Sequence, residues 1–128
     1  MAWSEEQIQY VWNRASIVNG FDKSRFRKDA CGAWIMWDKY GDNDSLYGWE
    51  IDHIVPKALL EEKGYCQKDI DNRDNLRALQ HENNASKGDD YPSYTSVVTS
   101  EGSENVTMMK FLEVNVKKQE MLRKLYNL

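Results

Sequence analysis

The sequence predicts an α+β fold, on three observations. Ser4 followed by Gln7 is a capping-box pattern, and Ile8, Val11, Trp12, Ala15 and Val18 then recur at helical spacing until Gly20, which predicts an amphipathic helix over residues 4–19. Two short β-favouring runs, residues 33–37 and 47–51, are separated by the turn-forming Gly41-Asp42-Asn43-Asp44 and predict strands. Asn115 caps a closing run in which Met121, Leu122, Leu125 and Tyr126 share one helical face.

The 128 residues fit one domain, 1–128, and 41% apolar content with five tryptophans and seven tyrosines is enough to bury a core. A net charge of -4 excludes a generally basic surface that grips nucleic acid by bulk electrostatics, so any such contact rests on local patches and a bound cation. Cys31 and Cys66 lack CxxC spacing, which argues against a zinc finger or a disulfide scaffold and suits a reducing cytoplasm. The chain opens without a basic region followed by an apolar stretch, and no run approaches a membrane span; the expectation is a soluble, cytoplasmic protein with no membrane contact.

The remaining segments follow in order. Residues 21–28 bring together Lys23, Arg25, Arg27 and Lys28, either as a solvated turn or short helix or as a cationic rim beside a phosphate site. The strands at 33–37 and 47–51 are expected to form a hairpin that delivers Asp52 and His53 at its end. Residues 57–63 read as a helix closed by Gly64, 65–74 as polar loop, and 75–80 as a weakly alternating strand. Residues 81–87 allow two helical turns ending at Gly88, and Pro92 forbids their continuation. Residues 99–105 read as loop, and periodicity leaves 106–114 open between strand and helix.

Only two histidines occur, and His53 follows Asp52 at the end of a predicted strand. Adjacent side chains on an extended strand face opposite ways, so this pair serves one site only if the chain bends there; Pro56 is compatible with such an exit. Phosphodiester hydrolysis needs a water, a group to take its proton, and positive charge at the phosphate and leaving oxygen. Histidine suits the proton step, with an unperturbed pKa of about 6.5. Mg²⁺ suits the charge step and takes only one or two protein oxygens, for which Asp52 and an asparagine amide suffice.

The string YGWEIDHIVPKALL, followed by DNRDNLRALQHENNASKGDD, resembles the HNH endonucleases, whose fold is the ββα-metal (His-Me) finger. The match covers about residues 31–92, most strongly 47–56 and 72–90. The resemblance implies a finger core at about 47–90 with flanking N- and C-terminal helices, and a catalytic pair in which His53 is the general base and Asn75 braces the loop that orients it. It further implies Asp52 and Asn84 as ligands of one divalent cation, in an HNN variant whose oxygen donors favour Mg²⁺ or Mn²⁺ over Zn²⁺. DNA is the substrate implied, by nicking or double-strand cleavage.

Four nearby residues have alternatives. His81, three positions before Asn84, is a third ligand, a substrate contact or a cap; Asn83 is able to exchange roles with Asn84. Lys87 either holds a phosphate beside the cation or is solvated, and Arg77 either contacts the DNA backbone or simply faces away from Leu76 and Ala78. Lacking the CxxC pairs that many members use, this chain is expected to hold the finger by packing Trp34, Trp37 and Trp49. Its acidic charge suits a nicking, phage-associated or restriction-like role better than that of the strongly basic toxin nucleases. The rival readings are a non-cleaving binding module and an RNA-directed or toxin nuclease of the same fold.

Overall fold

Ser4 begins the first helix as the sequence predicts: its hydroxyl accepts from Gln7 N–H and the Gln7 side chain returns to the Ser4 N–H. The computed structural model describes residues 3–128, so Met1 and Ala2 of the N-terminal reading lie outside the described residues. Helix α1 (Glu5–Arg14) stops five residues short of the expected end at residue 19. There the Arg27 guanidinium donates to the Asn13 and Ala15 carbonyls at 3.0 and 3.2 Å, and Ser16 leaves the helix to pair with Lys28. Arg27 is therefore buried as a helix-end cap and is no part of a cationic rim.

The chain is α+β, with three separate antiparallel pairs among the described residues. Strand β1 (Phe26–Lys28) pairs with β2 (Trp34–Met36), β3 (Trp49–His53) with β4 (Leu76–Gln80), and β5 (Ser93–Glu101) with β6 (Glu104–Glu113). The expected hairpin between 33–37 and 47–51 does not form. The intervening segment is too long for a tight hairpin turn, and it brings Tyr40 beside Trp49 in a parallel bridge. Gly48 is required where this segment meets β3, since a Cβ there would collide with the Asp42 carbonyl.

Between β3 and β4 the chain forms α2 (Lys57–Glu62) and the short α3 (Gln67–Ile70), the latter within the stretch expected to be loop. Helix α4 (His81–Lys87) follows β4 without a linker and ends at Gly88, whose φ of 51° suits a residue without a side chain. Residues 106–114, undecided in the sequence, lie mainly in β6, and the turn expected over 99–105 shrinks to two residues between long strands. Asn115 caps α5 (Val116–Tyr126) by accepting from Lys118 N–H.

The β3–β4 pair separates two cores. Trp49, Ile51, Leu76 and Ala78 pack with Val11 and Trp12 of α1, where Trp12 lies 5.4 Å from Trp49 and 5.6 Å from Trp37. Trp12, not Trp34, thus completes the aromatic group; Trp34 is tied to the β5–β6 turn through Gly102. Ile54, Val55 and Leu79 belong to the second core with Leu122 and Tyr126 of α5. Among the described residues no helix is long and apolar enough to cross a membrane.

Candidate functional site

The register of β3 on β4 builds the site. Asp52 faces Arg77, Glu50 faces Leu79, and this face of the pair carries α4. The chain bends immediately after His53, and Asp52, His53 and Asn84 line one shallow open cleft of about 270 Å³ together with Pro56, Lys57 and Asp89.

His53 is oriented by residues that the sequence did not single out. Its Nε2 lies 2.7 Å from Asp71 Oδ1, an oxygen that also accepts from Gln67 Nε2 at 2.8 Å. A carboxylate only accepts, so Nε2 donates the proton of this contact. The Trp3 ring, 5.4 Å away centre to centre, packs on the imidazole.

Asn75 is fully buried and clamps the bend: its Oδ1 accepts from Val55 N–H at 2.7 Å, and its Nδ2 donates to the carbonyls of Val55 and Ile70, each at 3.1 Å. Replacing it with any side chain lacking both a donor and an acceptor would strand buried backbone groups.

Asp52 is 5% exposed and held by two cations, Arg77 Nε at 3.1 Å from Oδ2 and Lys87 Nζ at 3.4 Å from Oδ1. Burial raises the Asp52 carboxyl above its ordinary range and lowers Lys87, while the attraction between them opposes both shifts. Lys87 is completely buried and also donates to the His53 carbonyl at 3.2 Å. Neither reading from the sequence, phosphate contact or solvated lysine, matches that position. Arg77 is likewise held through Nε by Asp52 and lies over the Tyr94 ring, within the fold rather than on an exposed face.

The two asparagines of α4 separate cleanly. Asn83 is buried, accepting from the N–H groups of Val97 and Val98 and donating to Asp29 and the Val98 carbonyl, which locks α4 to β5. Asn84 is half-buried in the cleft and donates through Nδ2 to Glu50 Oε1 at 3.1 Å. His81 is directed elsewhere: its Nε2 is 2.9 Å from the Ser45 carbonyl, so it braces the loop before β3 and does not line the cleft.

No family model, curated protein or solved structure matches this chain. The site is therefore characterised by its own geometry. Among the described residues no group of three or more histidine, cysteine, aspartate and glutamate side chains is arranged to hold a metal. Asp52 and Asn84 both belong to the lining of the cleft. Two acidic residues missed in the sequence complete the surroundings, Asp71 behind His53 and Glu50 behind Asn84.

Proposed function

We propose that the chain is a metal-dependent HNH endonuclease that hydrolyses DNA phosphodiester bonds, with β3, β4 and α4 as its ββα-metal finger. The observation that carries this reading is the convergence of Asp52, His53 and Asn84 on one open cleft, with the histidine ring held from behind by a carboxylate. Asp52 and Asn84 present only hard oxygen donors, the carboxylate and the Oδ1 left when Asn84 Nδ2 is held by Glu50. That set fits Mg²⁺ or Mn²⁺, which keep several waters and need few protein ligands, and is a poor match for Zn²⁺. Bound there, such an ion supplies positive charge at the phosphate and the leaving oxygen.

The chain's own residues supply the proton chemistry. His53, with its Nε2–H directed to Asp71, uses Nδ1 to take a proton from a water in line with the scissile bond, and Asp71 stabilises the imidazolium that results. Asn75 fixes the backbone two residues further on and so keeps the ring at the cleft. Lys87 and Arg77 hold the Asp52 carboxylate in a single orientation; a cation at Oδ1 must share that oxygen with the Lys87 ammonium or displace it.

Incubation of the protein with supercoiled plasmid, linear duplex and RNA, under Mg²⁺, Mn²⁺ or chelator, tests the proposal. It expects DNA nicking or linearisation that the chelator abolishes. Cleavage of RNA alone would transfer the same chemistry to another substrate. A second reading, a non-cleaving binding module, draws on one observation: the Asp52 carboxylate is already neutralised by two cations. Absence of cleavage in every arm would favour it.

A further inference from the structure

A second cavity lies apart from the cleft. It measures about 330 Å³ and lies along the free edge of β4, closed by the end of α1 and the start of α5. The pairing register directs the Arg77 and Leu79 N–H groups toward β3 and leaves Ala78 N–H on this outer edge, just as Gln80 N–H turns outward to Asp29.

Arg14, Arg77 and Lys118 converge on this space from three different elements. Neither Arg14 nor Lys118 forms an ion pair among the described residues, although Arg14 Nη1 donates to the Tyr10 hydroxyl at 3.0 Å and its guanidinium lies over that ring. The acids on the wall do not answer them. Asp29 is buried and uses both oxygens on Cys31, Ala33, Gln80 and Asn83, while Glu113 accepts from Gln119. The Lys28 ammonium lies over the Trp34 ring, 4.8 Å from its centre, and is otherwise engaged. Arg77 Nη2 is buried without a hydrogen-bond partner. The Lys118 ammonium is pushed below its ordinary value by burial and then by Arg14 and Arg77, with only Asp74 opposing. Crowded cations around a polar cavity lose that mutual repulsion when an anion enters.

We infer that this cavity is a second phosphate-binding site, in which Arg14 and Lys118, with Arg77 in its wall, hold a phosphate group of a nucleic-acid strand or of a free nucleotide. The phosphodiester source rests on the nuclease reading, whereas the mononucleotide source does not. Arg77 belongs both to this wall and, through Nε, to the Asp52 carboxylate of the cleft. The site also gives α5 a place in ligand binding.

The test is binding in chelator, where no cutting occurs, with three probes: a fluorescein-labelled blunt duplex, 5′-dTMP and inorganic phosphate. The variant is Arg14→Gln with Lys118→Gln, both exposed or half-exposed and so tolerated by the fold; the control is Lys117→Gln with Lys124→Gln, which removes the same charge from exposed positions of α5. The site variant is expected to weaken binding by about 10-fold or more and to lower the salt slope by about 2, with the control within about 2-fold of the parent. Weakened duplex binding alone identifies a backbone phosphate; weakened dTMP and phosphate binding identifies a free phosphate ester; either supports the site. Binding of all probes at parental affinity by the site variant, equal loss in the control, or no binding by the parent overturns it. Plasmid cleavage with Mg²⁺ separates the two claims: a parent that cuts while the site variant binds normally keeps the nuclease and loses the cavity. A parent that binds through the cavity but never cuts does the reverse.

Discussion

His53 Nε2 and Asp71 Oδ1 stand 2.7 Å apart, joining the end of β3 to the turn after α3 and selecting one tautomer of the only histidine in the cleft. Asp71→Asn leaves the fold and the oxygen donors in place but removes the charge that fixes the ring. Cleavage is expected to fall by about 10-fold to 100-fold. Nitrogen NMR of the imidazole checks the cause: the parent holds the Nε2–H form, and the variant shows a mixture. An unchanged tautomer in the variant would detach Asp71 from the chemistry.

Lys87 and Asp52 form a buried pair in which each needs the other. Lys87→Met leaves the carboxylate with Arg77 alone and should lower stability by roughly 3 kcal/mol in urea unfolding. A divalent cation at Asp52 would restore part of that charge, so Mn²⁺ should raise the melting temperature of the variant more than that of the parent. Equal Mn²⁺ responses would show that the ion does not reach this carboxylate.

Asn83 and Asn84 differ by one position and by their whole environment. Asn83→Ala strands several buried groups of β5 and should cost about 2 to 4 kcal/mol with activity lost through unfolding. Asn84→Ala should change the urea midpoint little while weakening Mn²⁺ binding in calorimetric titration. If the two variants showed the same profile, the division of labour on α4 would be wrong.

Alkaline stability reports on the second core. Burial, reinforced by the Asp29 charge, pushes the Cys31 thiol up to about 12, and burial likewise pushes Tyr94 and Tyr126 up to about 12. Each group keeps its proton longer when folded, so the contribution is intact below the unfolded-state values, 9.0 for the thiol and 10.0 for the phenols, and is lost as pH rises toward about 12. Melting temperature should therefore fall steadily across that range, and less so in Cys31→Ala. In the native protein at neutral pH a thiol reagent should label exposed Cys66 and spare Cys31.

Much of the local fold was legible because its signals are local, and the sequence also named Asp52, His53 and Asn84, which line one cleft. The capping box at Ser4, the glycine closing α4, Pro92 and the asparagine capping α5 act within a few residues of where they stand in the chain. Strand partners were not legible, because β3 pairs with a segment beyond two intervening helices and only tertiary packing selects it over the nearer run at 33–37. Asp71 was hidden for the same reason, being a loop acid 18 residues from the ring it holds. Lys87 reads as a solvated lysine in a last helical turn; its burial depends on Asp52 lying beneath α4. Arg27 shows the converse, a residue in a basic cluster consumed in capping a helix.

If His53 is the base and Asp52 the metal ligand, His53→Ala and Asp52→Ala lose different properties. Mn²⁺ affinity by calorimetry and plasmid cleavage are measured on the same preparations. His53→Ala should bind Mn²⁺ as the parent does and cleave about 10² to 10⁴ times more slowly, while Asp52→Ala should lose both. Parental cleavage by His53→Ala, or unchanged Mn²⁺ affinity in Asp52→Ala, would contradict the account.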